Sequence, residues 1–151
     1  SPVHVVLVEP EIPQNTGSIA RLCAATASEL HLVGHLGFSL EDRYLKRAGL
    51  DYWPHVRLHV HATWEDYVAS RAPGRLFAFS ARGADSYTAI RFGAGDALVF
   101  GSESKGLPAA LRESLAPLHR IPILTDAVRS LNLANAVSIV LYEALRQQGL
   151  A

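Results

Sequence analysis

The sequence has one cysteine, Cys23, no net charge and no long apolar run, and each shortage removes a class of protein. A lone cysteine forms no intrachain disulfide, so nothing points to an oxidising compartment. The balance of 14 basic against 14 acidic residues argues against a broad, non-specific nucleic-acid binder, which carries an excess of cations. A local basic patch stays open. The opening stretch VHVVLV soon meets Glu9, Pro10 and Glu11. It is too short to span a bilayer and lacks the basic flank of a signal peptide. The expectation is a cytoplasmic protein with no membrane partner. Repeats, low-complexity tracts and linkers are also missing, so residues 1–151 read as one domain, long enough to bury a core.

Two nucleotide signatures fail as well. GSESKGLP at 101–108 resembles a phosphate loop, but Lys105 precedes Gly106 and Leu107 stands where lysine should follow the second glycine. No GxGxxG follows any apolar run, which disfavours a dinucleotide-binding Rossmann enzyme. His59 and His61 share a strand face, but no third zinc ligand is visible near them in the sequence. They read as surface or half-buried polar residues, and no metal is expected.

What is present is an ordinary globular profile, 49% hydrophobic and 19% charged. Twelve of the 14 cations are arginine. Genome bias explains that as readily as phosphate recognition by guanidinium forks. Strand-length apolar runs at 3–8, 30–33, 56–60, 76–79, 97–100 and 120–124 alternate with helical stretches near 17–28, 40–48, 63–71, 109–115 and 132–147. Continuous apolar runs suit parallel strands buried on both faces. The alternation predicts an α/β domain, a mostly parallel sheet with helices on both faces. Ligands of such sheets bind beyond the carboxyl ends of the strands. Here those ends carry Asn15, Thr16 and Gly17, then Ser80 and Gly83, then Gly101 to Gly106, then Asp126, Arg129 and Ser130. They predict one composite pocket.

Within the first helix, Ile19, Leu22 and Cys23 mark the buried stripe, so Cys23 reads as core. Arg21 sits some 200° from Ile19, flanked on its own face by Gly17 and Ala24; it reads either as a solvated surface arginine or as one with room for a bulky ligand. In the last helix Leu133, Val137, Val140, Leu141, Ala144 and Leu145 form a stripe that Ala134, Ala136 and Ile139 widen. Such a helix needs cover on most sides, from its own sheet or from a second subunit. Gly149 should end it.

Four stretches carry a resemblance: EPEIPQNTGSIARLCAAT (9–26), KRAGLDYW (46–53), LVFGSESKGLP (98–108) and IPILTDAVRSLNLANAVSIVLYEALRQ (121–147). In this order they resemble the SPOUT superfamily of RNA methyltransferases. The first, third and fourth look like the three motifs of its ribose-methylating branch. RAGLDY is similar to the small, extension-free subfamily that 2'-O-methylates the wobble cytidine or uridine of tRNA, with leucine tRNAs the expected substrates. The resemblance implies a deep trefoil knot in the carboxyl-terminal part, which connection rules alone would reject. It also implies S-adenosylmethionine as methyl donor and a homodimer acting on the anticodon loop. Carried over by motif, Phe79, Gly101, Ile121 and Ser130 line the cofactor pocket. Arg21, Ser130 and Tyr142 serve catalysis, Tyr142 near a dimer interface. Asn15, Glu103 and Asn132 shape the site. A branched side chain at Gly101 is expected to exclude the cofactor and leave the fold intact. Ser102 stands where the family usually has proline, which leaves the loop after Gly101 less constrained. A ribosomal RNA 2'-O-methyltransferase, usually with an added RNA-binding domain, and a non-catalytic RNA-binding module remain alternatives.

Overall fold

Side chains alternate along a strand, and β1 (Val3–Val8) uses both sides of that alternation. Val3, Val5 and Leu7 enter one core with residues of β2 (Glu29–Val33), β6 (Asp96–Phe100), α1 (Pro13–Thr26) and α4 (Leu133–Gln147). Val6 and Val8 enter a second with Tyr67 of α2 (Trp64–Ser70) and Leu111 of α3 (Ala109–Ser114). The sheet is thus covered by helices on both faces, as the apolar runs predict. The computed structural model describes residues 2–43, 45, 47, 52–70 and 74–151. Adding β3 (Arg57–His61), β4 (Leu76–Phe79), β5 (Asp85–Ser86) and β7 (His119–Arg120) gives a seven-stranded sheet of order β3-β2-β1-β6-β4-β7-β5. Every pairing in it is parallel. Residues 44, 46 and 48 of the predicted helix over 40–48, and most of RAGLDY, lie outside the described residues. Among the described residues no helix is long and apolar enough to cross a membrane.

Three expectations change. The strand predicted over 120–124 is only His119–Arg120. It meets β4 at Phe79 and β5 at Ser86, and both neighbours end there. Residues 121–124 have no ladder to join, and Leu124 is left 91% exposed. The first helix begins at Pro13, four residues before the predicted start. Proline suits a first helical position, where its missing N–H costs nothing. Asn15 therefore belongs to the first turn, not to a loop. The wide stripe of α4 is mostly spent inside the chain: Val137, Val140, Leu141 and Ala144 are fully buried and Leu145 nearly so. Val140 is thus a core residue, and a charge placed there would test folding and not a dimer contact. Ile139 and Tyr142 are the large apolar side chains this helix leaves exposed. Gly149, at φ 75°, ends the helix as predicted, with Leu150 N–H donating to the Leu145 carbonyl. Cys23 is buried core, and burial pushes its thiol up to about 12.

A truncation separates the two classes of leucine. Leu141→Ala should lower stability by about 2–5 kcal/mol through lost burial and a cavity. Leu124→Ala should stay within about 0.5 kcal/mol. Urea unfolding of both variants checks this, and equal effects would contradict the placement of Leu141 in the core.

Candidate active site

The carboxyl ends of β1, β4, β6 and β7 meet at a cleft of about 630 Å³, within the range of small-molecule sites. Phe79, Gly101, Ile121, Ser130, Asn15, Glu103 and Asn132 all line it. The four strand ends that the sequence marked as unusual thus converge. Phe79, nearly buried, stacks on Phe100 at 5.0 Å and gives the cleft a flat apolar wall. Ile121, Ile123 and Leu133 add further apolar lining.

The polar side of the cleft is a relay with one consistent orientation. Asn132 caps α4, its side-chain oxygen accepting from the N–H groups of Ala134 (2.9 Å) and Asn135 (3.2 Å). Its amide nitrogen then donates to Asn15 Oδ1 at 3.1 Å. Asn15 in turn donates through Nδ2 to Glu103 Oε2 at 3.2 Å. Glu103, an acceptor when ionised, also takes the N–H groups of Glu11 (2.8 Å) and Ile12 (2.9 Å). These lie at the amino end of α1, where no local side chain caps the helix. A remote carboxylate supplies what the local sequence lacks, at the end of the helix dipole that favours negative charge. Glu11 returns the exchange by accepting from Ser104 N–H (2.9 Å) and Ser104 Oγ (2.6 Å). The Ser104 bonds hold the Glu11 carboxyl below its usual range.

The loop after β6 folds onto itself. Ser102 N–H donates to the Gly106 carbonyl at 3.2 Å, Gly106 N–H returns to Ser102 at 2.9 Å, and Lys105 N–H donates to Ser102 Oγ at 3.2 Å. A Cβ on Gly101 would lie 2.2 Å from the Gly106 carbonyl carbon. Side chains at Gly101 are therefore excluded by the loop's own backbone, before any ligand is considered. The expectation that a branched residue there leaves the fold intact is corrected accordingly.

Arg21 and Tyr142 are not among the residues that line the cleft. Arg21 is exposed on α1, its guanidinium 4.8 Å above the Tyr52 ring. Tyr142 is 45% exposed on α4. Sequence reasoning also missed Arg82, which lines the cleft beside Arg112 and Lys105. Lys105 lies on the strand end that was expected to form the pocket. No histidine lines the cleft among the described residues.

A family model described as the SpoU rRNA methylase family matches residues 2–142. The chain belongs to that family. It is 49% identical to a tRNA (cytidine(34)-2'-O)-methyltransferase of Methylovorus glucosotrophus (strain SIP3-4), covering 97% of this chain and 96% of that one. It superposes with a TM-score of 0.91 and 51% identity on a solved structure from work on the 2-OH methylation of C/U34 on tRNA, covering 97% of this chain and 96% of that one. The SpoU methyltransferase AviRb of Streptomyces viridochromogenes, solved with AdoMet, gives a TM-score of 0.86 at 28% identity. That match covers 98% of this chain and 61% of that one. For this SpoU-family chain, the serine at position 102 is compatible with an ordered loop: its hydroxyl and backbone close the turn.

Three outcomes follow for the loops of this family member. Glu103→Ala should cost about 1–2 kcal/mol, as loss of a helix cap does, and should weaken ligand binding because both loops loosen. Gly101→Ala should already disrupt the loop, giving altered near-UV dichroism along with lost binding. Glu11 has a lowered folded pKa, so its contribution is complete above its unfolded value and disappears as pH falls through the folded one. Glu11→Gln should therefore flatten the acid side of the stability–pH profile, and a profile identical to the parent's would contradict the Ser104 pairing.

Proposed function

We propose that this chain, a single SPOUT domain over residues 1–151, is a cytoplasmic tRNA 2'-O-methyltransferase. In this reading it transfers a methyl group from S-adenosylmethionine to the ribose of the wobble cytidine or uridine, position 34, in the anticodon loop of leucine tRNAs. The carrying observation is that motifs separated by up to 117 residues join in one cleft through the Glu103–Asn15–Asn132 relay. Relatives named for this reaction match nearly the whole chain. The trefoil knot belongs to the same proposal. Insertion of β7 between β4 and β5, with Arg120 donating to the Gly83 and Ala84 carbonyls, supports it.

The cleft suits the cofactor. Phe79 and Ile121 offer apolar faces for a flat base, and the backbone of the loops after β6 and β7 offers N–H and carbonyl groups for its polar edge. Bound there, S-adenosylmethionine supplies a methyl group already activated by its sulfonium, so the protein need not generate an electrophile. The chain's task is alignment, which can remove on the order of 7–11 kcal/mol of barrier. Ser130 and Asn132, at the cleft wall, position the ribose. Arg21 does not act as a base, because guanidinium groups keep their protons in proteins. It stabilises negative charge developing on the 2'-oxygen and grips the adjacent phosphate. The hydroxyl proton leaves to water or a phosphate oxygen.

Arg21 and Tyr142 lie outside the cleft of one chain, so a homodimer is part of the proposal. The second copy would bring Arg21 or Tyr142 to the mouth of the site. An anticodon-loop nucleotide fits as substrate because an unpaired base can be splayed into a pocket.

Incubation with S-adenosylmethionine and unmodified bulk tRNA, followed by digestion and mass spectrometry, should give 2'-O-methylcytidine or a 2'-O-methylated uridine at position 34 of leucine tRNAs. Base methylation, or modification of ribosomal RNA instead, would overturn the assignment. Arg21→Ala should lose most turnover but keep cofactor affinity by calorimetry. Arg21→Lys should recover little, since an ammonium does not reproduce the fork. Near-normal turnover of the lysine variant would show that a point charge suffices.

A further inference from the structure

Sheet register gathers histidines that the linear sequence scatters. His4 of β1 lies opposite Glu29 of β2, and His31 of β2 lies opposite His59 of β3, with His61 two residues further on. Residues two apart share a face, so all five project to the same side of the sheet. His59 and His61 therefore do have further potential ligands at hand, contrary to the expectation from sequence. The methyl-transfer reading uses none of them. The cleft lies beyond the carboxyl ends of the strands, whereas Glu29 opens β2 and His4 is the second residue of β1.

The donor atoms of His4, Glu29 and His31 converge, all within 4.8 Å of one another. His4 Nδ1 and His31 Nε2 are 3.4 Å apart. The Glu29 carboxylate lies 3.6 Å from each of them and 3.0 Å from His59 Nε2. A tetrahedral zinc ion with bonds of about 2.0–2.1 Å holds its donors about 3.4 Å apart. The outer contacts fit too. His31 Nδ1 is 3.0 Å from His61 Nε2. A proton on His31 Nδ1, donated to His61, leaves His31 Nε2 bare on the side facing His4 and Glu29. Metal-bound imidazoles are oriented by such a bond from their second nitrogen. Tyr67 packs edge-on against both His31 and His61, fixing their planes. His31 is nearly buried while His59 is 47% exposed, which leaves a route in from solvent.

We propose that His4, Glu29 and His31 form a binding site for a divalent transition-metal ion, Zn²⁺ being the ion that suits two imidazoles and a carboxylate, with His59 orienting the Glu29 carboxylate from outside. Hard cations such as Mg²⁺ and Ca²⁺ prefer all-oxygen sites. The ion would tie β1 to β2, and the Glu29–His59 contact would carry that restraint to β3, the edge strand, whose open backbone groups otherwise invite pairing with another chain. Its role is structural, at the end of the sheet opposite the cleft.

The competing account is a metal-free network in which protonated histidine neutralises Glu29. Full-length protein stripped with EDTA and titrated with Zn²⁺ by calorimetry should take up one ion per chain, and its Tm should rise with Zn²⁺. Co²⁺ in its place should show the visible absorption of a tetrahedral site. Glu29→Gln/His59→Ala, at two partly exposed positions, should lose both the uptake and the Tm rise. His59→Ala alone, the milder change if the double variant fails to fold, should weaken binding at least tenfold. His35→Ala/His55→Ala, at exposed positions elsewhere, should bind as the parent does. No stoichiometric uptake by the parent, undiminished uptake by the His59 variants, or loss only in the His35/His55 control would overturn the proposal and leave the proton-sharing network.

Discussion

Two carboxylates hold the cleft open by exchanging places. Glu103, from the loop after β6, accepts the free N–H groups at the head of α1, and Glu11, from the loop after β1, accepts from Ser104 in the loop after β6. β1 and β6 are neighbours at the centre of the sheet. Their loops would otherwise end in unpaired donors beside one another, at a cost of about 1–3 kcal/mol for each one shut away from water. Because each acid sits on the opposite loop, neither loop can take its shape without the other. Asn15 and Asn132 extend the constraint to α4, so segments from the start, middle and end of the chain share one set of hydrogen bonds.

The orientation of that relay is decided at both ends. An ionised Glu103 has no proton to give, so Asn15 must present its NH₂ to it and its oxygen to Asn132. From the other end, Asn132 spends its oxygen on capping α4 and has only NH₂ left for Asn15. The two requirements agree, as preorganisation of a polar site demands. Aspartate at either asparagine position would break the sequence of donors, and at position 15 it would place a second carboxylate beside Glu103. The crossings nearby are equally restrictive. A Cβ on Gly83 would lie 2.3 Å from the His119 carbonyl carbon, where β7 passes the loop after β4. Close passage of backbone past backbone is what a threaded chain needs, and there is space for no side chain at that point.

Legibility in the sequence followed burial. The bounds of β1 and β4 could be read directly, because their apolar runs are bounded by Pro2 and Glu9 in one case and by Arg75 and Ser80 in the other. The two-residue β5 has no apolar signature and was invisible. Strand β7 was over-read because 121–124 is apolar enough for a strand but faces the cleft and solvent. The early start of α1 was hidden because its cap comes from a residue 91 positions away. That Phe79, Gly101, Ile121 and Ser130 share one cleft was legible through family resemblance, since motif order survives where geometry cannot be seen. The histidine cluster was hidden for a related reason. Separations of 27 and 30 residues carry no periodic signal, and only strand register turns them into contacts of 3.4 and 3.0 Å.

The position of Arg21 bears on what a single chain can accomplish. The cleft alone has what cofactor alignment needs: a flat wall, close backbone and a rigid polar rim. Its own cations, Arg82, Lys105 and Arg112, are exposed at its edge. They are suited to phosphates approaching from solvent, where long-range attraction steers encounter. Arg21, by contrast, is parked on Tyr52, and that contact restricts the rotamers of a long side chain before any RNA arrives. An arginine already oriented loses less entropy when it meets a phosphate or an alkoxide. In the proposed dimer this division of labour has a consequence. Cofactor geometry depends on one chain's loops, whereas charge stabilisation depends on how two chains are docked. Changes at the exposed Ile139 and Tyr142 face would then reduce turnover while leaving cofactor affinity intact, and changes in the Glu103 relay would do both.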